Sequence, residues 1–304
     1  MKILIVCSGT QGRPSPFIRE QAEALINLGC SVEYFLVKKK GVTGYLKAYA
    51  KLKGVINTFH PDLIHAHYGL SGLMANLQRK VPVVVTYHGS DINTPWVRRL
   101  SKISMKLARK NIFVSKTLAV LSGKTNPVVI PCGVDLETFK PVEKKLAREK
   151  MGLTAGYTYI LFSSSFDNPV KNYPLAMKAI EMIASPDIKL VELKGYSREE
   201  VSCLMNAADV ALMTSVTEGS PQFIKEAMAC NVPIVSTDIG DVKELIGSTT
   251  GCFIAASDPE DVANKLLQAI SLQGRTNGRE QVLPIDNKEI AVKLLSLYNR
   301  VLLG

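Results

Sequence analysis

The feature that most constrains this chain is an alternation. Short runs rich in β-branched residues, each followed by a loop and then a stretch with apolar residues every three or four positions, recur along its 304 residues. Ile3–Val6, Val32–Val37, Leu63–Ala66, Val83–Tyr87, Ile112–Val114 and Val128–Ile130 read as strands, with Phe17–Leu28 and Val42–Phe59 as helices among them. The pattern restarts after Met151 with Tyr157–Phe162, Ile188–Leu193, Val210–Met213, Pro233–Ser236 and Cys252–Ile254, and with helices near 172–184, 198–207, 221–230 and 258–271. Strands separated by helices pair in parallel, and such sheets are covered on both faces.

The length suits two domains better than one core. Residues 1–150 are expected to form one Rossmann-like domain and 151–286 a second. Residues 287–304, amphipathic and set apart by Gly274, Gly278 and Pro284, should form a helix that packs back on the first domain. Ligands bind beyond the carboxyl ends of the strands in doubly wound sheets. The chemistry is therefore expected in post-strand loops, with the two domains facing across a cleft.

Several classes drop out. No apolar run approaches the ~20 residues a membrane helix needs, and Met1-Lys2 leads straight into a strand-like run rather than a secretion signal, so a cytoplasmic protein is expected. The six cysteines are scattered without a CxxC pair, which points to reduced, structural thiols. His65 and His67 can share a strand face, but four histidines with no cysteine cluster make a zinc site a poor reading.

The densest chemical signal is Thr214-Ser-Val-Thr-Glu218-Gly219-Ser220-Pro221-Gln222-Phe-Ile-Lys225-Glu226-Ala227-Met228-Ala229. A strand ends near Met213, and Ser220 as N-cap with Pro221 in the first turn would start a helix. Its unpaired N–H groups and dipole suit a diphosphate. Glu226 lies among small and apolar neighbours, so its carboxylate needs donors; a ribose diol or a structural partner would serve equally. The loop Ser8-Gly9-Thr10-Gln11-Gly12-Arg13 follows the first strand but lacks the third glycine of a dinucleotide fingerprint. His88 ends the Val83–Tyr87 run just before Gly89-Ser90-Asp91, as a site contact or a capping group.

Glu218 and Glu226 within Glu-Gly-Ser-Pro…Glu-Ala-Met-Ala resemble the donor-site motif of family-4 glycosyltransferases of the GT-B fold. The likeness continues in Cys230-Asn-Val-Pro-Ile-Val-Ser-Thr-Asp-Ile-Gly240…Glu244, in Ile130-Pro-Cys-Gly-Val-Asp135…Phe139 and in His88-Gly-Ser-Asp91. The resemblance implies that Glu226 bonds the ribose and Glu218 meets the donor sugar. It implies that the backbone at Gly219, Ser220, Pro221 and Gln222 takes the diphosphate and that Lys171 neutralises the leaving phosphates. His88 would touch the transferred sugar or the acceptor, with His67 and Asp91 on the acceptor side. Gly12 fits the first glycine of the family's phosphate-approaching pair, and Arg13 stands at the second. Implied too are retention of configuration and a UDP- or GDP-linked hexose donor, with no separate cofactor. The absence of an Asp-x-Asp metal motif and the basic residues point to turnover without metal.

The chain departs from the family at three places. Ser165 stands where relatives carry an arginine, so one phosphate counter-charge is lost, and Arg13 is the expected substitute. A βα segment between Lys171 and Glu218 is missing. The glycine pair is altered by Arg13.

Charge is uneven: 24 lysines and arginines against 9 acids in residues 1–150, but 13 against 18 in residues 151–304. Lys38, Lys39, Lys40, Lys47, Lys51 and Lys53 form one basic stretch; Arg98, Arg99, Lys102, Lys106, Arg109 and Lys110 form another with helical period. Such a helix either lies peripherally on the anionic inner membrane face or packs on its own sheet with the charges in water. No nucleic-acid module is present. The expected activity is hexosyl transfer to a hydroxyl acceptor in glycan, polysaccharide or glycolipid synthesis. A sugar-nucleotide epimerase of the same architecture and a non-catalytic sugar-nucleotide-binding partner are the alternatives.

Overall fold

The structure is a computed structural model that describes residues 1–9, 12–37, 42–272 and 274–304. Thr10 and Gln11, in the loop after the first strand, and the basic Lys38, Lys39 and Lys40 lie outside the described residues. The chain divides into two units, Met1–Gly133 with Asn287–Gly304 and Val134–Asp286.

The first unit holds β1 (Lys2–Ser8), β2 (Ser31–Val37), β3 (Leu63–His67), β4 (Val83–Tyr87), β5 (Lys110–Phe113) and β6 (Val128–Val129). They form one sheet in the order β2-β1-β3-β4-β5-β6, and every pairing is parallel. Leu4, Val6, Ile64, Ala66, Val83 and Val85 point into one core and are almost wholly buried, as two-sided parallel strands demand. The helix Gly69–Asn76 lies close against Pro95–Leu107 because its glycines leave no side chain in the way. A Cβ at Gly72 would sit 2.6 Å from Val85 Cγ1 and 2.7 Å from Ser104 Oγ. The last helix, Asn287–Leu303, packs on Pro16–Asn27.

The second unit holds β7 (Thr158–Phe162), β8 (Ile188–Val191), β9 (Val210–Met213), β10 (Ile234–Thr237) and β11 (Cys252–Ala255). Its parallel sheet runs β11-β10-β9-β7-β8. In both sheets the chain steps first to one side of the opening strand and then to the other. The switch point lies between β1 and β3 in the first sheet and between β7 and β9 in the second. The loops that follow the strands at such a switch point are the favoured ligand position in doubly wound folds.

The boundary differs from the expected 150/151. Residues 134–150 belong to the second unit because their polar groups are tied to it. Val142 N–H donates to Asn206 Oδ1 at 2.8 Å, and Lys144 and Arg148 pair with Asp209 at 2.8 and 2.6 Å. Arg279 donates to the carbonyls of Phe139 and Leu136 at 2.6 and 2.8 Å. The charged run 144–150 is thus a helix packed on the second sheet's own helix Arg198–Ala207, not a linker.

Candidate functional site

The site in the second unit is built from the two loops at its switch point. The loop after β9 is stitched to the 3-10 turn Pro169–Lys171, which follows β7. Thr214 Oγ1 donates to the carbonyls of Lys171 and Asn172 at 2.8 and 3.1 Å, and Val216 N–H donates to Val170 O at 2.9 Å. Asn168 caps the turn through its side chain, accepting from Val170 N–H at 3.2 Å. This stitching brings Lys171 and Glu218 together across 47 residues: Lys171 Nζ donates to Glu218 Oε1 at 2.6 Å. Ser215 Oγ donates to the same oxygen at 2.9 Å. Both side chains are less than one-fifth exposed (17% and 18%), so the ammonium and carboxylate are shielded yet reachable.

The helix beyond this loop is Gln222–Ala229, one turn position later than Ser220 as cap predicts. Pro221 is the N-cap, and no side chain caps the helix. Ser220 Oγ instead donates to Asp241 Oδ2 at 2.7 Å. Burial pushes the Asp241 carboxyl up, while the Lys225 ammonium holds it down. Gly240, at φ +66°, brings its chain against the Glu218–Gly219 backbone; a Cβ there would lie 3.0 Å from Gly219 O. Pro221 has no N–H, so the donors this turn can offer an anion are those of Ser220 and of the first helical residues.

Glu226 is only 4% exposed. Its Oε1 is paired with Arg198 Nη1 at 2.8 Å, and the Arg198 guanidinium lies 4.5 Å from the Phe139 ring centre. Arg198 escapes sequence reasoning because Ser197 and Glu200 form a capping box around it, and the segment reads as an ordinary helix start. Ser165 bonds Asp167, whose carboxyl is held down by that hydroxyl and by Lys194 at 2.9 Å.

In the first unit the ends of β3 and β4 carry a chain of rings. His67 Nδ1 and His88 Nε2 are 2.9 Å apart, one donating to the other, and His88 Nδ1 lies 3.5 Å from Cys132 Sγ. Phe17 and Tyr68 pack against His88 at ring distances of 5.1 and 4.6 Å. His67 is fully buried, and its Nε2 has no hydrogen-bond partner. Burial and the His65 and His88 rings hold its pKa well below the ordinary value. His65 packs against it at a tilt, with ring centres 4.4 Å apart, and bonds Thr86 and Tyr298, both at 2.7 Å. Tyr68 adopts φ 73°, ψ 146°, a region that costs a non-glycine residue of order 1–3 kcal/mol. That strain sits beside His88, at the first sheet's switch point.

Asp91 does not present its carboxylate to a ligand surface. It is 2% exposed and accepts the N–H groups of Gly89 at 2.9 Å, His88 at 3.1 Å and Gly69 at 3.2 Å. Its role is to fix the turn that carries His88. Burial pushes its carboxyl up to about 6, against the pull of those N–H groups. Gly12, at φ +77°, and Arg13 are both exposed on the loop after β1. A Cβ on Gly9 would meet Arg13 O at 2.6 Å, so the Arg13 backbone passes close to Gly9.

Two family models cover most of the chain: Glycosyltransferase Family 4 matches residues 3–138 and Glycosyl transferases group 1 matches residues 172–271. The chain belongs to the family-4 glycosyltransferases. A curated relative, TuaC of Bacillus subtilis (strain 168), a glycosyltransferase assigned to teichuronic acid biosynthesis, is 24% identical over 68% of this chain and 61% of its own length. An uncharacterized glycosyltransferase of Methanocaldococcus jannaschii is 25% identical over 78% of this chain and 73% of its own. The chain thus spans about three-fifths of TuaC. Among solved structures, sucrose-phosphate synthase of Thermosynechococcus elongatus superposes with TM-score 0.81 at 18% identity, covering 99% of this chain and 98% of that one. HepE of Anabaena, in complex with UDP, gives 0.77 at 17% identity over 99% and 100%. The two-sheet fold of this family member is that of the GT-B glycosyltransferases. Lys171, Glu218 and Glu226, the second-unit residues expected to meet the donor, all lie on loops or helices that follow β7 or β9.

Proposed function

We propose that this family member transfers a hexose from a nucleotide-diphosphate sugar to a hydroxyl acceptor, with retention of anomeric configuration. The observation that carries the reading is the Lys171–Glu218 pair at the second sheet's switch point. An ammonium held at a hydrogen-bonded turn is already fixed near the place where negative charge would grow on a leaving diphosphate. Lys171 would exchange part of its contact with Glu218 for the phosphates, while Ser215 keeps the carboxylate in place. Glu218 would then face the sugar. The N–H groups of Ser220 and Gln222 would bind the diphosphate, and Glu226 would accept from the ribose hydroxyls.

Uridine or guanosine diphosphate sugars are the proposed donors; HepE, whose fold this chain shares, was solved with UDP-glucose. His88, with its ring oriented by His67 and its turn by Asp91, would contact the sugar or acceptor. Arg13 is the proposed replacement for the counter-charge missing at Ser165. With Lys171 and the helix start also meeting the phosphates, turnover is proposed to need no metal ion. An acceptor at a membrane surface is supported by the helix Pro95–Leu107, where Arg99, Lys102 and Lys106 are exposed beside Trp96 (62%) and Ile103 (48%). No helix among the described residues is long and apolar enough to cross a membrane.

A panel of nucleotide sugars scored for binding, nucleoside diphosphate release and sugar transfer tests the reading. Release that depends on a hydroxyl acceptor and survives EDTA supports it. Conversion of the sugar without release identifies an epimerase, and binding with no turnover of any donor identifies a non-catalytic partner. Activity lost in EDTA and restored by magnesium would overturn metal independence. Unchanged donor affinity and turnover in Arg13→Ala would remove Arg13 from the site.

A further inference from the structure

The junction motif Val134-Asp135…Phe139 has no place in the chemistry above, yet the structure builds it with care. Asp135 caps its turn, accepting from Glu137 N–H at 2.9 Å, Thr138 N–H at 3.2 Å and Thr138 Oγ1 at 2.5 Å. Ser202 Oγ donates to Thr138 O at 2.7 Å, and Arg279 holds the carbonyls of Leu136 and Phe139 at 2.8 and 2.6 Å. The Phe139 ring is wholly buried. Its backbone is therefore fixed from the helices Arg198–Ala207 and Gly278–Val282 together, which makes the ring a rigid platform.

What lies on that platform is the Arg198 guanidinium, 4.5 Å from the ring centre, and beyond it Glu226. A guanidinium over an aromatic face is attracted by the ring quadrupole, which favours its staying on that face. From there Nη1 reaches Glu226 Oε1 at 2.8 Å. Stability is a weak explanation for such a pair. Side chains only 22% and 6% exposed give up hydration that their attraction barely restores, and apolar replacements do as well. Orientation is the better one. A carboxylate accepts and never donates, and a vicinal diol offers two O–H donors with one fixed spacing. Binding a diol with both hydroxyls requires the carboxylate plane to be set in advance.

We infer that Arg198, seated on Phe139, is a positioning residue that sets the Glu226 carboxylate for the vicinal hydroxyls of a nucleoside ribose. The junction motif is then the foundation of a specificity device. The inference rests on the reading of Glu226 as the ribose-binding acid. It adds the source of its discrimination between ribose and deoxyribose.

The test measures dissociation constants of UDP, GDP and their 2′-deoxy counterparts for the full chain and for Glu226→Gln, Arg198→Met, Arg198→Lys and Phe139→Leu. The wild type should prefer the ribonucleotide by about tenfold or more, the worth of hydrogen bonds to a charged group. Glu226→Gln should abolish the preference. Arg198→Met should abolish it as well, weakening the ribonucleotide about tenfold and the deoxynucleotide less than about twofold. Arg198→Lys should restore part of it, and Phe139→Leu should lower it. Melting temperatures identify any variant that fails to fold, and Arg198→Lys and Phe139→Leu then carry the test. If Glu226→Gln loses the preference while the Arg198 and Phe139 variants keep it, the inference falls and the ribose reading stands. Equal weakening of both nucleotides in Arg198→Met also overturns it. A wild type that binds neither diphosphate, or binds ribo and deoxy forms alike, removes the ribose reading and the inference with it.

Discussion

Lys171 Nζ lies 2.6 Å from Glu218 Oε1, and the two residues leave the carboxyl ends of neighbouring strands. The pair is one unit, since each side chain holds the other and Ser215 also holds Glu218. Lys171→Met should lower kcat by about 10²–10³, the usual loss when a charge-stabilising group is removed, with a smaller change in donor Kd. Glu218→Gln should fall in the same range. The double variant should be little worse than the poorer single, because groups that act together are not additive. Steady-state rates and equilibrium binding on the four proteins check this.

Asp91 gives a pH signature of its own. Burial raises its carboxyl from the ordinary 3.8 to about 6, so the folded state keeps a proton that the unfolded chain releases. Stability therefore falls as pH climbs from about 4 to about 6 and is level above, by at most about 3 kcal/mol. Asp91→Asn should remove that slope, while leaving at least one of the Gly69, His88 and Gly89 N–H groups poorly satisfied at every pH. Urea midpoints of the two proteins should lie furthest apart near pH 4 and draw together as pH rises to 7.5. If their difference is constant, the carboxyl is ionised throughout.

The opposite sign applies to His65. Burial lowers its pKa from 6.5 to about 3, so the folded state refuses a proton that the unfolded chain accepts. Its contribution is intact above about pH 6.5 and drains away as pH falls toward 3. Because Tyr298 bonds His65, the first consequence should be release of the last helix. Amide exchange in Asn287–Leu303 should rise on acidification well before that of the second unit. Tyr298→Phe should lower stability by about 1–2 kcal/mol at neutral pH through the unpaired ring nitrogen.

The helix Pro95–Leu107 should bind vesicles that contain anionic lipid. Replacing Arg99, Lys102 and Lys106 with alanine should weaken that binding by about 1 kcal/mol per charge, and added salt should weaken it in the wild type. Trp96 is the chain's single tryptophan, so a blue shift of its emission on vesicle addition reports insertion directly. Co-sedimentation without salt dependence, or an unmoved Trp96, would leave the charges as an ordinary solvated face.

The strands were legible because two-sided burial writes itself as contiguous β-branched runs. Val83–Tyr87 and Val210–Met213 end where their apolar runs end. The order of strands was not legible, since no residue records which neighbour its N–H will meet. Lys171, Glu218 and Glu226 could be singled out because each stands in a short local pattern. Their partners could not. Arg198 is distant in sequence from Glu226, as Asp241 is from Ser220 and Cys132 from His88, and only packing joins them. Ser220 was misread for a physical reason: a serine before a proline suits an N-cap, but a buried carboxylate nearby accepted its hydroxyl instead. The boundary falls at 133/134 rather than 150/151 because the charged helix 144–150 is held by Asp209, a partner distant in sequence that only packing reveals.

The backbone leaves the first unit at Gly133 and returns at Asn287, and these two residues touch: a Cβ on Gly133 would lie 2.9 Å from Asn287 Cα. One residue further on, Val134 N–H donates to Ile285 O at 3.0 Å. The second unit is thus an uninterrupted segment whose two ends meet, threaded into a partner that is split. During synthesis the inserted segment is complete while its host still waits for the helix bearing Tyr298. The host can close only once that helix has been made. Damage to that helix should consequently appear first around His65 and His67, far from it in the sequence.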